Sequence, residues 1–441
     1  MRGPVRERDR HRRRRHPRAR HGRQARGGRP QVTVYESSAQ LGGLAGSTEL
    51  GGVRVDRFYH AVTTSDQRVL ELADELGVNV RWRRLGGGFY HGGQTAEMST
   101  PMQLLTFPGL SPADRARLVR FVLRCKRIDD HAELDKLGLE EWTRRTCGDR
   151  LWERLWGPLF DSKFDGRYDD LPATYLWSRM NRVSGTRDRK GHEVMGALEG
   201  GYQNLVDRLA DRIRARGGQI LTATPVRFVP CANHRAIGVM LDAGFRPHDT
   251  VVVTQIRPNL PHMLAPELEH ALGPDPQRYL GIVCLVARLR RSVSPYYALN
   301  ITDRRVPLTS VVETTHVVDP KAAEGHLVYL PKYVNPDSPE LEKSSAEIRS
   351  EYFRHLKTMF PAFREEDVIA AQVARARVAE PVHPVGSTKP DPFKVPGLVV
   401  ASSAQVYPDI VHGQAILGVA DRIAAELDAR SPVSQRRLEA A

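Results

Sequence analysis

An acidic residue followed by a glycine-rich turn is the feature of this sequence most able to do chemistry. Residues 31–35 are rich in β-branched side chains and predict a strand, Glu36 ends it, and LGGLAG follows at residues 41–46. An acid at the end of a strand can accept hydrogen bonds from the hydroxyls of a ribose. Gly42 and Gly43 would let backbone amides approach phosphate oxygens, because a side chain there would block access. The pattern predicts a dinucleotide site; the alternatives are a glutamate without a ligand and glycines that serve only the turn.

The rest of the chain alternates strands and helices. The predicted elements are a hairpin over residues 47–58 that turns at Gly51 and Gly52, a helix over 66–76, mainly helices over 112–156 with breaks at Gly138 and Gly148, a helix over 202–216, a strand pair over 218–229, strands over 251–253, 280–289 and 397–401, and a helix over 413–427. This alternation favours an α/β fold with an inserted helical and sheet region.

Composition indicates a globular protein. The chain has 441 residues, of which 40% are hydrophobic, and is long enough for two or three domains. No run approaches the roughly 20 apolar residues of a spanning helix, and the N-terminus lacks the apolar segment of a signal peptide, so we expect a cytoplasmic protein with no stable membrane insertion. The four cysteines are scattered, which predicts buried, reduced thiols and neither a disulfide framework nor a metal site.

The positive charge is concentrated in the first 30 residues. This segment holds 13 arginines against Glu7 and Asp9, a net charge of +11 within a total of +14, which leaves +3 for the remainder. It contains no aromatic residue and only one large aliphatic residue, Val5, so it cannot bury an apolar face. An arginine-rich arm that binds nucleic acid or anionic lipid is one interpretation of this segment.

Several longer stretches resemble one known family. VTVYESSAQLGGLAG followed by LGGVRVDRFYH resembles the FAD-dependent oxidoreductases of the flavin-containing amine oxidase and protoporphyrinogen oxidase type. The resemblance continues through EGGYQNLVDRLADRIRARGGQILTATPVRFV at 199–229 and PGLVVASSAQVYPDIVHGQAILGVADRIAAEL at 396–427. It therefore covers nearly everything after residue 31.

This resemblance implies an α/β fold with a doubly wound, Rossmann-like FAD-binding domain and an inserted substrate domain of mixed sheet and helices. It assigns residues 31–65, 191–260 and 391–430 to the FAD-binding domain, and residues 66–190 and 261–390 to the substrate domain. Residues 1–30 and 431–441 are then tails.

The resemblance also implies the residues that contact FAD. Glu36 would hold the adenosine ribose, Val226 would meet the adenine through its backbone, and the amides at the start of the last helix would stabilise negative charge on the reduced flavin. The full implied set is Glu36, Ser37, Gln40, Gly42, Gly43, Leu44, Phe58, Tyr59, Val226, Gln405, Asp409, Gly413 and Gln414. The alternative for Asp409 and Gln414 is that they merely cap the last helix.

Two residues are candidates for catalysis. His60 falls in DRFYH, which matches the segment that passes beside the flavin ring in the family, although a histidine in such a place is often structural. Lys163 is the one lysine in residues 156–180, which resemble substrate-domain helices, and the alternative is a surface or ion-paired lysine. A catalytic dyad need not exist, because the flavin itself carries the redox chemistry.

The resemblance requires a first strand and a G-x-G-x-x-G turn just before VTVYE, where arginines stand instead. Arginine, glycine, proline and alanine all have GC-rich codons. Reading the same codons one nucleotide later permits I-V-G-x-G-I-x-G-L-A over residues 11–20. The shifted codons of His11 and His16 must encode Ile or Thr, and that of Gln24 must encode Lys or Arg, all of which fit a strand–turn–helix unit. We therefore predict that residues 1–30 are a frame-shifted first unit; a genuine arginine-rich arm is the alternative.

Together these features predict an FAD-dependent oxidoreductase that removes a hydride from a C–N or C–C bond of a small-molecule substrate and does not bind nucleic acid. One alternative is a flavin-dependent mutase that acts on a nucleotide sugar. An alternative of another class is an arginine-tailed nucleic-acid-binding protein with a dead flavin site. The substrate, the electron acceptor and the oligomeric state stay open.

Overall fold

The computed structural model describes residues 30–97, 110–184 and 193–430. The predicted frame-shifted unit, the alternative arginine-rich arm and the tail 431–441 lie outside the described residues. A mixed α/β architecture, with one large mixed sheet and several smaller sheets, confirms the predicted fold class.

The strands of the described part are β1 Thr33–Tyr35, β2 Ser47–Leu50, β3 Val53–Asp56, β4 Val62–Thr63, β5 Val80–Arg84, β6 Gly87–His91, β7 Gln94–Glu97, β8 Val194–Leu198, β9 Gln219–Leu221, β10 Cys231–Ala232, β11 Arg235–Ala236, β12 Gly238–Leu241, β13 Gly244–Pro247, β14 Val251–Val253, β15 Arg278–Leu289, β16 Ala298–Ile301, β17 Ser310–Glu313, β18 His326–Val334, β19 Val368–Val382 and β20 Leu398–Val400.

The helices in the same ranges are α1 Gln67–Glu75, α2 Pro112–Cys125, α3 Leu139–Cys147, α4 Asp149–Leu151, α5 Gly157–Phe164, α6 Ala173–Ser184, α7 Gly201–Ala215, α8 Pro266–Leu272, α9 Ser345–Met359 and α10 Gly413–Ala429. A π-helical turn, Trp152–Trp156, joins α4 to α5. Within the described residues, no helix is long and apolar enough to cross a membrane.

Two short parallel sheets carry the segments predicted to bind the cofactor. Strand β1 pairs in parallel with β9, and β14 pairs in parallel with β20. Among the described residues, each of these sheets has only its two strands. Parallel sheets are normally covered on both faces, yet Val32, Leu221 and Val252 on or beside these strands are 40–51% exposed. The region around the two pairs therefore has apolar surface that the described residues leave uncovered.

The large mixed sheet has the order β19-β15-β18-β17-β16-β6-β7. Its central strand β15 is buried on both faces, because alternate side chains enter two different cores. Val283 and Leu285 pack against residues of α9, whereas Ile282 and Cys284 pack against the hairpin formed by β2 and β3. The hairpin that follows the glycine turn is thus anchored on the mixed sheet.

Most of the predicted elements are confirmed. The hairpin over 47–58 turns at Gly51 and Gly52, whose φ angles of 60° and 86° favour glycine. The predicted strand pair over 218–229 is wrong, because only β9 is a strand there and the segment after it is irregular. The four cysteines are free and mostly buried, as predicted.

The predicted domain boundaries stay a prediction. Helix α1 was assigned to the substrate domain, but it packs against α10 and shares a core with Leu198 and Leu205, which come from segments assigned to the FAD-binding domain. The helices α2 to α6 form a separate core around Phe121, Trp142 and Leu155. Because of the packing of α1, we propose that this helix belongs to the FAD-binding domain.

Candidate functional site

Glu36 follows β1 directly, at the carboxyl end of the parallel pair, which is the edge where such sheets bind ligands. Its Oε1 accepts hydrogen bonds from Ser38 N at 2.7 Å and from Ser37 Oγ at 3.2 Å. Its backbone N–H donates to Leu221 O at 2.9 Å, which continues the pairing of the two strands. The carboxylate therefore has local support at the place predicted for the ribose.

The glycine turn has backbone angles that need glycine. Gly42 has a φ of 117° and Gly43 a φ of 54°. A Cβ added at Gly42 would lie 2.9 Å from Gly46 Cα, so a side chain would break the turn, whereas a Cβ at Gly43 would meet nothing within 4 Å. Leu44 is 42% exposed beside them. The backbone of the turn is thus accessible at Gly43, in the loop that follows Glu36.

Gln203, which sequence reasoning missed, holds this turn in place. It is buried in the first turns of α7, and its Oε1 accepts from Gln40 Nε2 at 2.9 Å and from Ser47 N at 3.1 Å. Gln40 Nε2 also donates to Ser47 Oγ at 2.9 Å. The available signal was a glutamine on the buried face of a predicted amphipathic helix. The side chain of Gln40, which is predicted to contact the cofactor, is thus hydrogen-bonded to Ser47 after the turn and to Gln203 of α7.

The irregular segment after β9 runs beside Glu36 and contains Val226. Ala223 N donates to Ser38 O, and Thr224 N donates to Glu36 O, both at 2.8 Å. Val226 is partly buried against the core that includes Val251 and Leu398. Its predicted contact with adenine stays a prediction, but the structure brings it into the same region as Glu36.

The loop after β20 leads to α10, whose N-cap residue is His412 and has no side-chain capping bond. Gln414 Oε1 instead accepts from Arg68 N at 2.8 Å, in the first turn of α1. Asp409 Oδ2 lies 3.1 Å from His412 Nε2. The alternative that Asp409 and Gln414 cap the last helix is therefore wrong.

Asp66 connects this loop to helix α6. Arg182 donates to both of its carboxylate oxygens, at 2.8 and 3.2 Å, and Thr63 N donates to Oδ2 at 2.7 Å. Burial acts to raise the pKa of Asp66, but the bonds from Arg182 and Thr63 outweigh it and hold that pKa below its ordinary value. Arg182 NH1 also lies 3.3 Å from His412 Nε2. This network fixes the start of α10 against α1 and α6.

Gln405 folds back on its own loop. It is 3% exposed, its Nε2 donates to Val400 O at 2.9 Å, and its Oε1 accepts from Ser402 N at 2.7 Å. Both ends of the Gln405 amide therefore have protein partners, one at the end of β20 and one in the loop. The predicted contact of Gln405 with the flavin chain stays a prediction.

Phe58, Tyr59 and His60 have three different surroundings. Phe58 is 6% exposed and packs in the core between the hairpin and the mixed sheet. The hydroxyl of Tyr59 lies 3.5 Å from that of Tyr333. The ring of His60 lies 5.0 Å from the ring of Tyr202, and burial lowers the pKa of this histidine to about 4.

His60 therefore stays neutral, and within the described ranges its buried Nδ1 has no hydrogen-bond partner. Tyr202 also lies against the start of α10. Its hydroxyl would be only 2.7 Å from a Cβ added at Gly413. A side chain would not fit at the first residue of α10.

Lys163 is ion-paired rather than at the surface. Its Nζ lies 2.6 Å from Glu380 Oε2 and 3.2 Å from the centroid of the Tyr333 ring. The two charged side chains are 16% and 15% exposed. Burial lowers the pKa of Lys163, and the charge of Glu380 opposes this effect. Sequence reasoning missed Glu380 and Tyr333, because both come from strands far from Lys163 along the chain.

One cavity joins the loop before α10 to the mixed sheet. Its walls include Tyr175 from α6, Glu380 near the end of β19, His383 just beyond it, and the loop from Val406 to Val411. Asp409 and, through Glu380, Lys163 therefore reach the same space. Among the predicted site residues, Asp409 lines this cavity and Lys163 reaches it through Glu380, whereas Glu36 and the glycine turn follow strand β1 of the β1–β9 pair.

The described residues fit part of FAD. Glu36 and the glycine turn lie beyond β1, where an adenosine ribose would be held, and the open start of α10 lies beyond β20, where flavin charge would be stabilised. A G-x-G-x-x-G turn for the pyrophosphate is not among the residues that the structure describes. The described residues therefore offer candidate groups for the two ends of FAD, and their contacts with it stay a prediction.

The family model for flavin-containing amine oxidoreductases matches residues 19–423. No curated protein matches. Among solved structures, an oxidoreductase from Methanosarcina mazei is 19% identical with a TM-score of 0.69, and covers 89% of this chain and 94% of its own.

Two further structures share the fold. Putrescine oxidase bound to putrescine is 16% identical with a TM-score of 0.65, covering 90% of this chain and 93% of its own. Reduced UDP-galactopyranose mutase is 13% identical with a TM-score of 0.60, covering 81% and 84%. These likenesses concern the fold alone.

Proposed function

Because the chain belongs to the flavin-containing amine oxidoreductase family, we propose that it removes a hydride from a C–N or C–C bond of a small-molecule substrate. Membership makes it a flavin-dependent oxidoreductase with FAD as its cofactor. The observation that carries the finer proposal is the cavity shared by the loop before α10 and the mixed sheet. A substrate in this cavity would lie beside the flavin ring, between the loop before α10 and the end of β19.

FAD, when bound, supplies the hydride acceptor, and the chain supplies binding, orientation and charge. The amides at the start of α10 would offer about half a positive charge to the flavin ring. Asp66 and Arg182 hold that helix start in position. The ring and hydroxyl of Tyr175, which line the cavity, would orient a substrate and exclude water.

His60 and Lys163 have different proposed roles. Neutral His60 lies beside Tyr202 and would contact the cofactor side of the site. Lys163 is held by Glu380 and by contact with the Tyr333 ring, and it would act by fixing the Glu380 carboxylate at the cavity rather than as a free base. Neither assignment requires a catalytic dyad.

The mutase is the second candidate, favoured by the shared fold with UDP-galactopyranose mutase. Under that alternative, the reduced flavin would be needed but not consumed. An arginine-tailed nucleic-acid-binding function depends on residues outside the described ranges, and we do not propose it.

The test is anaerobic reduction of the bound flavin. The purified protein, loaded with FAD, is mixed without oxygen with a panel of amines, amino acids and saturated ring compounds. Bleaching of the visible flavin absorbance by one member, followed by recovery on admission of oxygen or another acceptor, supports hydride removal. Conversion of a nucleotide sugar only after chemical reduction, with no net change in flavin redox state, would replace the proposal with the mutase.

A further inference from the structure

A second cavity lies between α10 and the segment that precedes β20. Its volume is about 300 Å³, at the lower end of the range for small-molecule sites. It follows α10 from Val419 to Arg430, whereas the flavin contacts predicted on this helix stand at its start. Because an α-helix rises about 1.5 Å per residue, Arg422 lies roughly 14 Å along the helix from Gly413. Of the predicted cofactor residues, only Gln405 lines this cavity, and both ends of its amide have protein partners.

Two cations at this cavity have no carboxylate partner among the described residues. Lys389 comes from the segment before β20 and Arg422 from α10, and both residues line the cavity. Arg422 NH2 donates one long bond, of 3.5 Å, to the backbone oxygen of Gln405. Burial and the charge of Arg422 lower the pKa of Lys389, as expected for two like charges that face the same space. An anion between the two cations would remove their repulsion.

The two carboxylates that border the cavity are already engaged. Asp391 Oδ1 accepts from Phe393 N at 2.9 Å, and Glu426 Oε1 accepts from Arg430 Nε at 2.7 Å. Three basic and two acidic residues line the cavity, which leaves it a formal charge of +1. The two unpaired cations therefore decide which charge the cavity attracts.

The remaining wall is apolar and contains one aromatic ring. Val419 and Ile423 are 6% and 7% exposed, and Phe393 packs against the core to which they belong. The guanidinium carbon of Arg430 lies 4.4 Å from the centre of the Phe393 ring and helps to hold that ring in place. The ring of a ligand can pack against this wall while its charged group meets the two cations.

We propose that this cavity binds a phosphate monoester that carries a flat ring, such as a nucleoside monophosphate. Lys389 and Arg422 hold the phosphate, and Phe393 packs against the ring. A phosphate dianion matches two adjacent cations, and its oxygens suit both the fork of an arginine and the point charge of a lysine. The inference does not depend on the proposed redox function, because the cavity lies along the second half of α10.

Three probes separate the contributions of the phosphate and of the ring. AMP, adenosine and inorganic phosphate are titrated by calorimetry into the purified full-length protein at neutral pH and low ionic strength. We expect AMP to bind at least tenfold more tightly than either of the other two. Arg422→Gln and Lys389→Gln should each weaken AMP binding at least tenfold. Arg120→Gln, which removes a charge from the exposed face of α2, is the control and should leave AMP binding unchanged.

Phe393→Leu tests the apolar wall, because it keeps an apolar side chain and removes the ring. It should weaken AMP binding severalfold and leave the binding of inorganic phosphate unchanged. Equal affinities for AMP and adenosine, equal effects of Arg422→Gln and Arg120→Gln, or no binding of AMP would overturn the proposal.

Glu36→Ala distinguishes this cavity from the predicted ribose site, which could hold the same nucleotide. AMP binding that survives Glu36→Ala and is lost in Arg422→Gln supports the cavity along α10. Loss of AMP binding in Glu36→Ala, with no effect of Arg422→Gln, would overturn the proposal and assign the nucleotide to the predicted cofactor site. The flavin content of the same samples reports on the proposed redox function separately, so the two proposals can fail independently.

Discussion

Lys163 Nζ lies 2.6 Å from Glu380 Oε2, although the two residues are 217 positions apart in the chain. The pair joins α5 to β19 inside the protein, because both side chains are about five-sixths buried. The same ammonium lies 3.2 Å from the Tyr333 ring centroid, so one lysine contacts both an acid that lines the cavity and an aromatic ring. Removing it should therefore have consequences for stability as well as for the site.

Lys163→Met should lower the free energy of unfolding by about 3 kcal/mol, because it leaves Glu380 buried without a counter-charge. The double variant with Glu380→Gln should recover much of the loss. Urea unfolding measures both. Lys136→Met, which removes an exposed pair with Glu133, is the control and should change little. Equal losses in the two lysine variants would show that the buried pair has no special role.

The pH dependence of stability should contain a contribution from Asp56. Burial raises its pKa in the folded protein to about 7 from the ordinary 3.8, although Tyr202 N donates to it. The folded state thus binds an extra proton between these values, so this contribution to the free energy of unfolding falls as pH rises from about 4 to about 7.

Asp56→Asn should remove this contribution, so the variant gains stability relative to the native protein as pH rises through the same window. Chemical unfolding at several pH values measures the difference and cancels the effects of the other carboxylates. A difference that does not vary with pH would contradict the raised pKa.

Glu36→Ala should weaken FAD retention, because the ribose hydroxyls lose a charged acceptor whose hydrogen bonds are worth roughly 1.5–3 kcal/mol. Glu36→Gln keeps an acceptor and should have a smaller effect. Flavin content after dialysis measures retention, and an unchanged content in the alanine variant would remove Glu36 from the site.

The chain as printed should emerge colourless or express poorly, whereas a version whose first 30 residues are translated one nucleotide later should be soluble and yellow. The described residues contain two separate two-stranded parallel sheets, with exposed Val32 and Leu221 at one of them. A parallel strand between them, followed by a helix, would join the pairs and cover apolar surface.

The coding DNA and the flavin spectra of the two versions test this prediction. A shifted frame without G-x-G-x-x-G, or stoichiometric FAD in the printed version, would show that the arginine-rich segment is genuine. Loss of two or three phosphate-facing hydrogen bonds should weaken FAD binding at least about a hundredfold.

Local patterns in the sequence were enough to predict β1, the glycine turn, the hairpin and α10. Each depends on neighbours along the chain: the β-branched residues of β1 favour extended backbone, and Gly42, Gly51 and Gly52 take positive φ angles that other residues avoid. The irregular segment 222–227 was mispredicted as a strand, because the amides of Ala223 and Thr224 donate to Ser38 and Glu36 rather than forming a regular ladder with a neighbouring strand. The alternation of residues in this segment does not indicate that Glu36 and Ser38 are its hydrogen-bond partners.

The family could thus be recognised from the sequence, and Glu36 could be identified there as a candidate for binding the ribose, whereas the partners of the other candidate residues could not. Glu380 and His383 stand three residues apart at the end of β19, and no spacing relates either of them to Lys163 or to the loop before α10. Their pairing is decided by long-range packing, because α5, α6 and the end of β19 meet at one cavity only in the folded chain. Burial at that meeting point makes Lys163 a partner of Glu380, and the buried Nε2 of His383 has no hydrogen-bond partner among the described residues. The electrostatic character of the cavity is therefore a property of the tertiary structure.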